Sequence, residues 1–339
     1  MEQIGIGIIG CGYWGMNYVR VFSELLQATV VAVCDQGADR LTLAKQRFPM
    51  VRTCQKWEQI VGNSEIEGVV VSTPATTHYA IARECLLNRK HVLVEKPMTI
   101  DIEQAEELVA LAEEMHVVLM VGHTFLYNPG IRKIKACIND DDFGRVYYLH
   151  ATRTNLGPIR GDVNAVRDLA AHDVSIFNYL LDGKPTWVSA VGARVLGNCR
   201  EDVGFITLCY PGDIIGNIHV SWADPNKVRR VTIVGSNKRI CFDDLNTMEQ
   251  VRIFEKGVVS EPAEVGGFGE FRLLVRDGDI ISPKIEASEP LKNQCAHFLD
   301  CIRTGTYPLT DGRNGLDVVE VMVAIQNSIA RNGTPVQVG

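Results

Sequence analysis

Two consecutive α/β domains, a doubly wound parallel sheet and then an α+β domain with a large, mostly antiparallel open sheet, are predicted by this sequence of 339 residues. Three observations predict them. The length is about twice that of a common domain. Up to residue 123, short apolar runs alternate with stretches of helical spacing. Beyond that point strand-like runs follow one another, separated by turn residues.

In the first part, strands are expected over 4–9, 29–34, 69–71, 92–94 and 117–121, and helices over 13–26, 38–48, 76–88 and 102–115. Strands that are apolar along their whole length suit a sheet buried on both faces, and right-handed crossovers then wind the helices onto both sides. In the second part, a helix over 129–138, a strand over 145–153 and one continuous helix over 166–181 precede strands at 186–195, 203–208, 214–222, 228–234, 238–242 and 251–255. Turn residues such as Pro211-Gly212 and Asp224-Pro225-Asn226 punctuate that series. Helices over 293–303 and 316–330 close the chain, and the last of them is expected to pack on the first domain. The domains are read as 1–123 and 124–339. No structure is assigned to 261–279, which is rich in glycine and charge.

Composition bounds the function. With 46% hydrophobic and 22% charged residues and 13 prolines, the chain is that of an ordinary globular protein. A net charge of −7 without a basic block excludes the electrostatic footprint of a nucleic-acid binder and points to a small-molecule ligand. No apolar run approaches the roughly 20 residues of a membrane span, and 1–9 lacks the features of a secretory leader, so a cytoplasmic protein is expected. The ten cysteines contain no C-x-x-C pair; reduced thiols and no metal site are expected.

Three motifs carry chemistry. Gly10-Cys11-Gly12-Tyr13-Trp14-Gly15 is a G-x-G-x-x-G string between a strand and a helix. There Gly10 makes the tight turn, Gly12 lets the backbone approach a pyrophosphate, and Gly15 lets helix and strand pack closely. Asp35 ends the second strand twenty-five positions after Gly10, where a carboxylate can accept the ribose hydroxyls of NAD and repel the extra phosphate of NADP. Glu95-Lys96-Pro97 follows the strand at 92–94, at the carboxyl edge where open α/β sheets bind ligands. Ser72-Thr73-Pro74, with His78 behind it, ends the preceding strand. Finally, Asp168 and His172 stand four residues apart on the helix over 166–181, on a polar stripe with Ser175 and Tyr179. A carboxylate one turn from an imidazole can orient it to take a proton; Asp173 points elsewhere and reads as structural.

Together with the Asp311-Gly312 start of the closing helix, these motifs, in this order over nearly the whole chain, resemble the Gfo/Idh/MocA oxidoreductase family. The resemblance implies a Rossmann domain, a second α/β domain with an open sheet, and hydride transfer between NAD(P) and a hydroxyl of a sugar, cyclitol or related polyol. It implies NAD contacts at Gly10, Gly12, Tyr13, Trp14, Gly15, Asp35, Arg40, Ser72, Thr73, Pro74, His78, Glu95 and Lys96. It also implies that Lys96 and His172 share the handling of the hydroxyl proton. His172, oriented by Asp168, is favoured as base, with Lys96 polarising the oxygen; the reverse assignment stays open.

Tyr127, Asn128, Arg153, Asn155, Arg160 and Asn164 are the further polar residues expected at the substrate, with Lys96, Asp168 and His172; the arginines can meet a phosphate there, and Asn128 can equally cap the loop before Pro129. The run through Asn155-Leu156-Gly157, Asp162-Val163-Asn164 and 168–173 is similar to the nucleotide-sugar members that oxidise C3 of UDP-N-acetylglucosamine, although Arg167 stands where that subgroup is expected to carry an aromatic residue. A free sugar, inositol or dihydrodiol as substrate, and a non-catalytic NAD(H) sensor, are the alternatives. A homodimer or homotetramer is implied by the resemblance.

Overall fold

The computed structural model describes residues 3–157, 159, 163–197, 199–262 and 271–339. Residues 1–128 with 288–323 form one compact unit, and 129–287 with 324–339 form another. The first unit thus takes in 288–323 in addition to the N-terminal stretch, beyond the division at residue 123.

The first unit begins β1 (Ile4–Ile9), α1 (Tyr13–Glu24), β2 (Ala28–Cys34), α2 (Ala38–Arg47), β3 (Arg52–Cys54) and α3 (Glu58–Val61). It continues with β4 (Gly68–Val71), α4 (His78–Leu87), β5 (His91–Val94), α5 (Ile102–Met115) and β6 (Leu119–Val121). The sheet runs β3-β2-β1-β4-β5-β6, parallel throughout. The order reverses between β1 and β4, which makes the gap at their carboxyl ends the switch point where such sheets bind ligands. Every residue of β1, β4 and β6 is buried. Apolar side chains on both faces therefore drive this sheet, and Val69, Val71, Val92 and Val94 pack with Ile81, Leu86, Leu108 and Leu119 on one side.

The second unit contains α6 (Pro129–Ile138), β7 (Val146–Thr154), a π-helical turn (Val166–Ala170) running into α7 (Ala171–Leu181), β8 (Trp187–Ala193) and β9 (Val203–Tyr210). Next come β10 (Ile214–Ser221), β11 (Val228–Gly235), β12 (Arg239–Asp243), β13 (Val251–Phe254), the hairpin β14 (Gly257–Pro262) and β15 (Phe271–Arg276), and β16 (Ile280–Ile281). The chain then contributes α8 (Pro290–Thr304) and α9 (Gly312–Ala330) and ends in β17 (Val336–Gln337). Nine strands form one sheet in the order β16-β13-β12-β11-β7-β10-β9-β8-β17. All neighbours are antiparallel except β7 and β10. Burial alternates along β9, as expected of a sheet with one packed and one open face.

Two readings need correction. The helix expected to run unbroken over 166–181 starts with a π turn at 166–170, whose wider i→i+5 spacing shifts the face presented by Asp168 relative to α7. Ser175 leaves the polar stripe: it is fully buried, and its hydroxyl donates to the His172 carbonyl at 2.8 Å. The stretch 261–279, to which the sequence assigns no structure, contributes the end of β14 and all of β15, which pair antiparallel. None of the helices among the described residues is long and apolar enough to cross a membrane.

Candidate active site

In the first unit the candidate residues gather at the carboxyl ends of β1, β2, β4, β5 and β6. Gly10 takes φ +97°, and a Cβ there would lie 2.6 Å from the Ser72 carbonyl oxygen, so glycine alone fits. A Cβ on Gly15 would lie 1.7 Å from the Gly10 carbonyl oxygen, which is the close helix–strand approach the string requires. Gly12, by contrast, has no atom within 4 Å of its Cβ position, and α1 begins there without a side-chain cap. The first N–H groups of α1 are left facing outward, the arrangement that binds a phosphate. Tyr13 and Trp14 flank that opening, the former 80% exposed, with their rings edge to face.

Asp35 is buried and anchored: Oδ2 accepts from the Cys11 N–H and Oδ1 from the Gly37 N–H, both at 2.8 Å, with Arg40 Nη1 at 3.4 Å. The carboxylate is thereby held beside the phosphate loop, as a ribose-binding group must be. Burial, followed by the Asp35 charge, pushes the Cys11 thiol up to about 12, so this cysteine stays protonated. Glycine cradle, open helix terminus and anchored carboxylate together fit an adenine dinucleotide.

Ser72 ties the β4 end to the loop, its N–H donating to the Ile9 carbonyl at 2.8 Å and its hydroxyl to the Gly10 carbonyl at 2.9 Å. Thr73 accepts from the Thr77 hydroxyl at 2.7 Å, and Pro74 is exposed. His78 is 1% exposed, with its ring nitrogens 2.8 Å from the carbonyl oxygens of Thr73 and Pro97. The imidazole thus clasps the β4 turn to the Glu95-Lys96-Pro97 turn. Glu95 is buried, accepting from the Tyr18 hydroxyl at 2.7 Å and from the Lys96 N–H at 3.2 Å. Lys96 is half-buried.

His123, which the sequence did not single out, follows β6. It is 1% exposed, and neither ring nitrogen finds a partner among the described residues. Burial first, and the Lys96 charge second, push its pKa down from the ordinary 6.5 to about 3. Between those values the unfolded chain holds the proton that the folded one excludes, so stability falls as pH drops from 6.5 toward 3. The slope approaches roughly 1.4 kcal/mol per pH unit. Urea unfolding at several pH values should show this loss in the wild type and a flatter dependence in His123→Gln; identical slopes would remove His123 as its source.

Also in the first unit, Tyr127 is 1% exposed, its hydroxyl 3.3 Å from Thr310 Oγ1 and its carbonyl accepting from Asn293. Asn128 is buried as well, its N–H closing a turn onto Phe125. Both side chains are buried.

The second unit carries Asp168 in the π turn and His172 in the first turn of α7, both half-buried. Asp173 faces the other way and is 1% exposed, gripping Arg153 of β7 through Nε at 2.9 Å and Nη2 at 2.8 Å. Arg153, expected near a phosphate, is thus spent on a buried fork-to-fork pair that fastens α7 to the sheet. Asn164 accepts from the Arg167 N–H at 2.8 Å and donates to Glu201 and Gln326, which fixes the start of the π turn. Asn155 donates to the Gly157 carbonyl. Arg160 lies outside the described residues.

Comparison with known proteins agrees with this fold. Residues 4–123 match a family model described as an oxidoreductase family with an NAD-binding Rossmann fold, and 131–241 match the GFO/IDH/MocA C-terminal domain. The chain is 27% identical over 343 residues to UDP-N-acetylglucosamine 3-dehydrogenase of Acidithiobacillus ferrooxidans, covering 98% of this chain and 100% of that one. It is 24% identical over 350 residues to the NAD(+)-dependent scyllo-inositol 2-dehydrogenase of Bacillus subtilis, covering 99% and 96%. The crystal structure of the WlbA dehydrogenase from Bordetella pertussis with NADH and UDP-GlcNAcA has the same fold, with a TM-score of 0.81 at 21% identity over 100% and 98% of the two chains.

Proposed function

The chain belongs to the GFO/IDH/MocA family of NAD-binding oxidoreductases, and from that premise we propose that it is a nucleotide-sugar dehydrogenase, oxidising the C3 hydroxyl of a UDP-N-acetylglucosamine-like substrate. The observation that carries the substrate class is the end-to-end similarity to a UDP-N-acetylglucosamine 3-dehydrogenase. NAD, when bound, supplies the acceptor for the hydride.

The chain's own residues handle the proton and the positions. The open N–H groups at Tyr13 and Trp14 take the pyrophosphate, and the anchored Asp35 carboxylate takes the ribose hydroxyls. The Lys96 ammonium binds the reacting oxygen and stabilises its developing negative charge. His172 accepts the hydroxyl proton, and Asp168 orients it. Asn155 stands at the carboxyl end of β7 as a further donor to sugar hydroxyls.

One observation favours a second substrate class. Arg153 is committed to Asp173, so the guanidinium that a sugar-bound phosphate would use is occupied, which suits an uncharged cyclitol or free sugar. The deciding experiment follows NADH formation with UDP-N-acetylglucosamine, N-acetylglucosamine, glucose and inositol, with a transaminase and amino donor drawing off the ketone. Turnover confined to the UDP-sugar is the expected result; turnover of inositol or glucose alone would replace it by the second reading. We also propose a homodimer or homotetramer built on the open face of the nine-stranded sheet, where Tyr148 and Ile215, and Val191 and Phe205, are exposed as two cross-strand pairs.

A further inference from the structure

Behind Lys96 lies a line of buried polar groups that no motif announces. Tyr18, on α1, is fully buried and lies against Phe22 with ring centroids 6.4 Å apart. Its hydroxyl donates to Glu95 Oε1 at 2.7 Å and accepts from Gln294 Nε2 of α8 at 3.0 Å. Gln294 is fully buried too, and Glu95 is 7% exposed. The other carboxylate oxygen, Oε2, accepts the Lys96 backbone N–H at 3.2 Å. Donation thus runs in one direction, amide to hydroxyl to carboxylate, joining the helix after the phosphate loop, α8 and the strand end that carries Lys96.

Such an arrangement is expensive to bury unless each member is held. An enclosed carboxylate with a phenol on one oxygen and a backbone N–H on the other has little freedom to rotate. A Cβ on Gly122 would come within 3.2 Å of that same carboxylate, so the β6 end presses on it from the far side. Burial, and then the Glu95 charge, raise the Tyr18 hydroxyl well above its ordinary value, so it stays a donor at every working pH.

We propose that Tyr18 and Gln294 are positioning residues for hydride transfer: they hold the Glu95 carboxylate in one orientation, and Glu95 in turn fixes the backbone from which Lys96 reaches the substrate. The inference rests on the reading of Lys96 given above. Among the described residues, the titratable groups around Glu95 include Tyr18 from α1, Lys96 on its own turn and Cys295 from α8, with His123 after β6 beside Lys96. Cys295 and His123 are both driven neutral by burial.

The test is Tyr18→Phe, which keeps the ring packing and removes the donor, with Gln294→Met as a milder second variant. Loss of a hydrogen bond to the ionised form raises a carboxyl pKa. The titration of the Glu95 carboxyl, followed by its ¹³C resonance, should therefore move up in Tyr18→Phe relative to the wild type. On the sugar that turns over, kcat should fall about tenfold, its acid limb moving up with the Glu95 titration, while KM for NAD changes less than about twofold. In a Glu95→Gln background, adding Tyr18→Phe should change nothing further.

An unmoved Glu95 titration, or a moved titration with unchanged kcat and acid limb, overturns the proposal. Full turnover by Lys96→Ala would instead remove the reading of Lys96 on which it rests. If no sugar of the panel turns over, the carboxyl titration alone decides whether Tyr18 and Gln294 hold the anion.

Discussion

Lys96→Ala is expected to lower kcat by about 10²- to 10⁴-fold, the usual worth of a positioned acid–base or electrostatic group, while NADH binding followed by fluorescence stays nearly intact. The separation follows from where the contacts lie. On the proposed reading the Gly10–Gly15 loop and Asp35 hold the nucleotide, and Asp35 is anchored by the backbone of Cys11 and Gly37, not by Lys96. Lys96→Arg should recover little of the loss: the charge is kept, but a planar fork replaces a compact ammonium on a turn confined by buried Glu95 and Met98. Full kcat in Lys96→Ala would leave the proton to His172 alone. Lost NADH affinity would instead mark Lys96 as a cofactor anchor.

What could be read in advance was what the chain encodes locally. The glycine string, Asp35 at a strand end and Glu95-Lys96-Pro97 are short stretches whose chemistry is written in consecutive residues, and the parallel strands declared themselves by unbroken apolar runs. β3 and α3 escaped notice because three and four residues carry almost no periodicity. The π turn at 166–170 escaped because no residue there differs from an ordinary helix former, and its wider turn comes from tertiary context, including the Asn164 cap on the Arg167 N–H. Partners distant in sequence were beyond reach as well. Tyr18 meets Glu95 across 77 positions and Gln294 across 276, and no spacing rule links them. His123 read as one more residue after a strand, and only its enclosure beside Lys96 gives it weight.

Arg153 shows the same limit with a larger consequence. An arginine at the end of a strand, before a polar loop, reads from sequence as a phosphate ligand, but the fold places it against Asp173, 20 residues on, with side-chain exposures of 6% and 1%. Removing one partner of a buried ion pair strands the other, at a cost of about 3–5 kcal/mol. Arg153→Met and Asp173→Asn should therefore each lower the melting temperature of the second unit by roughly 5–15 °C. Arg153→Met/Asp173→Leu, which leaves no buried charge, should regain most of that loss. Because Asp173 adjoins His172 on α7, the single variants should also lower kcat, as the helix carrying the imidazole loses its tie to β7. Differential scanning calorimetry together with KM for the UDP-sugar separates the two roles of Arg153. A cooperative loss of stability with a nearly constant KM fits the buried pair; a large rise in KM at unchanged stability would return Arg153 to the substrate and revive the phosphate contact that its position in the sequence suggests.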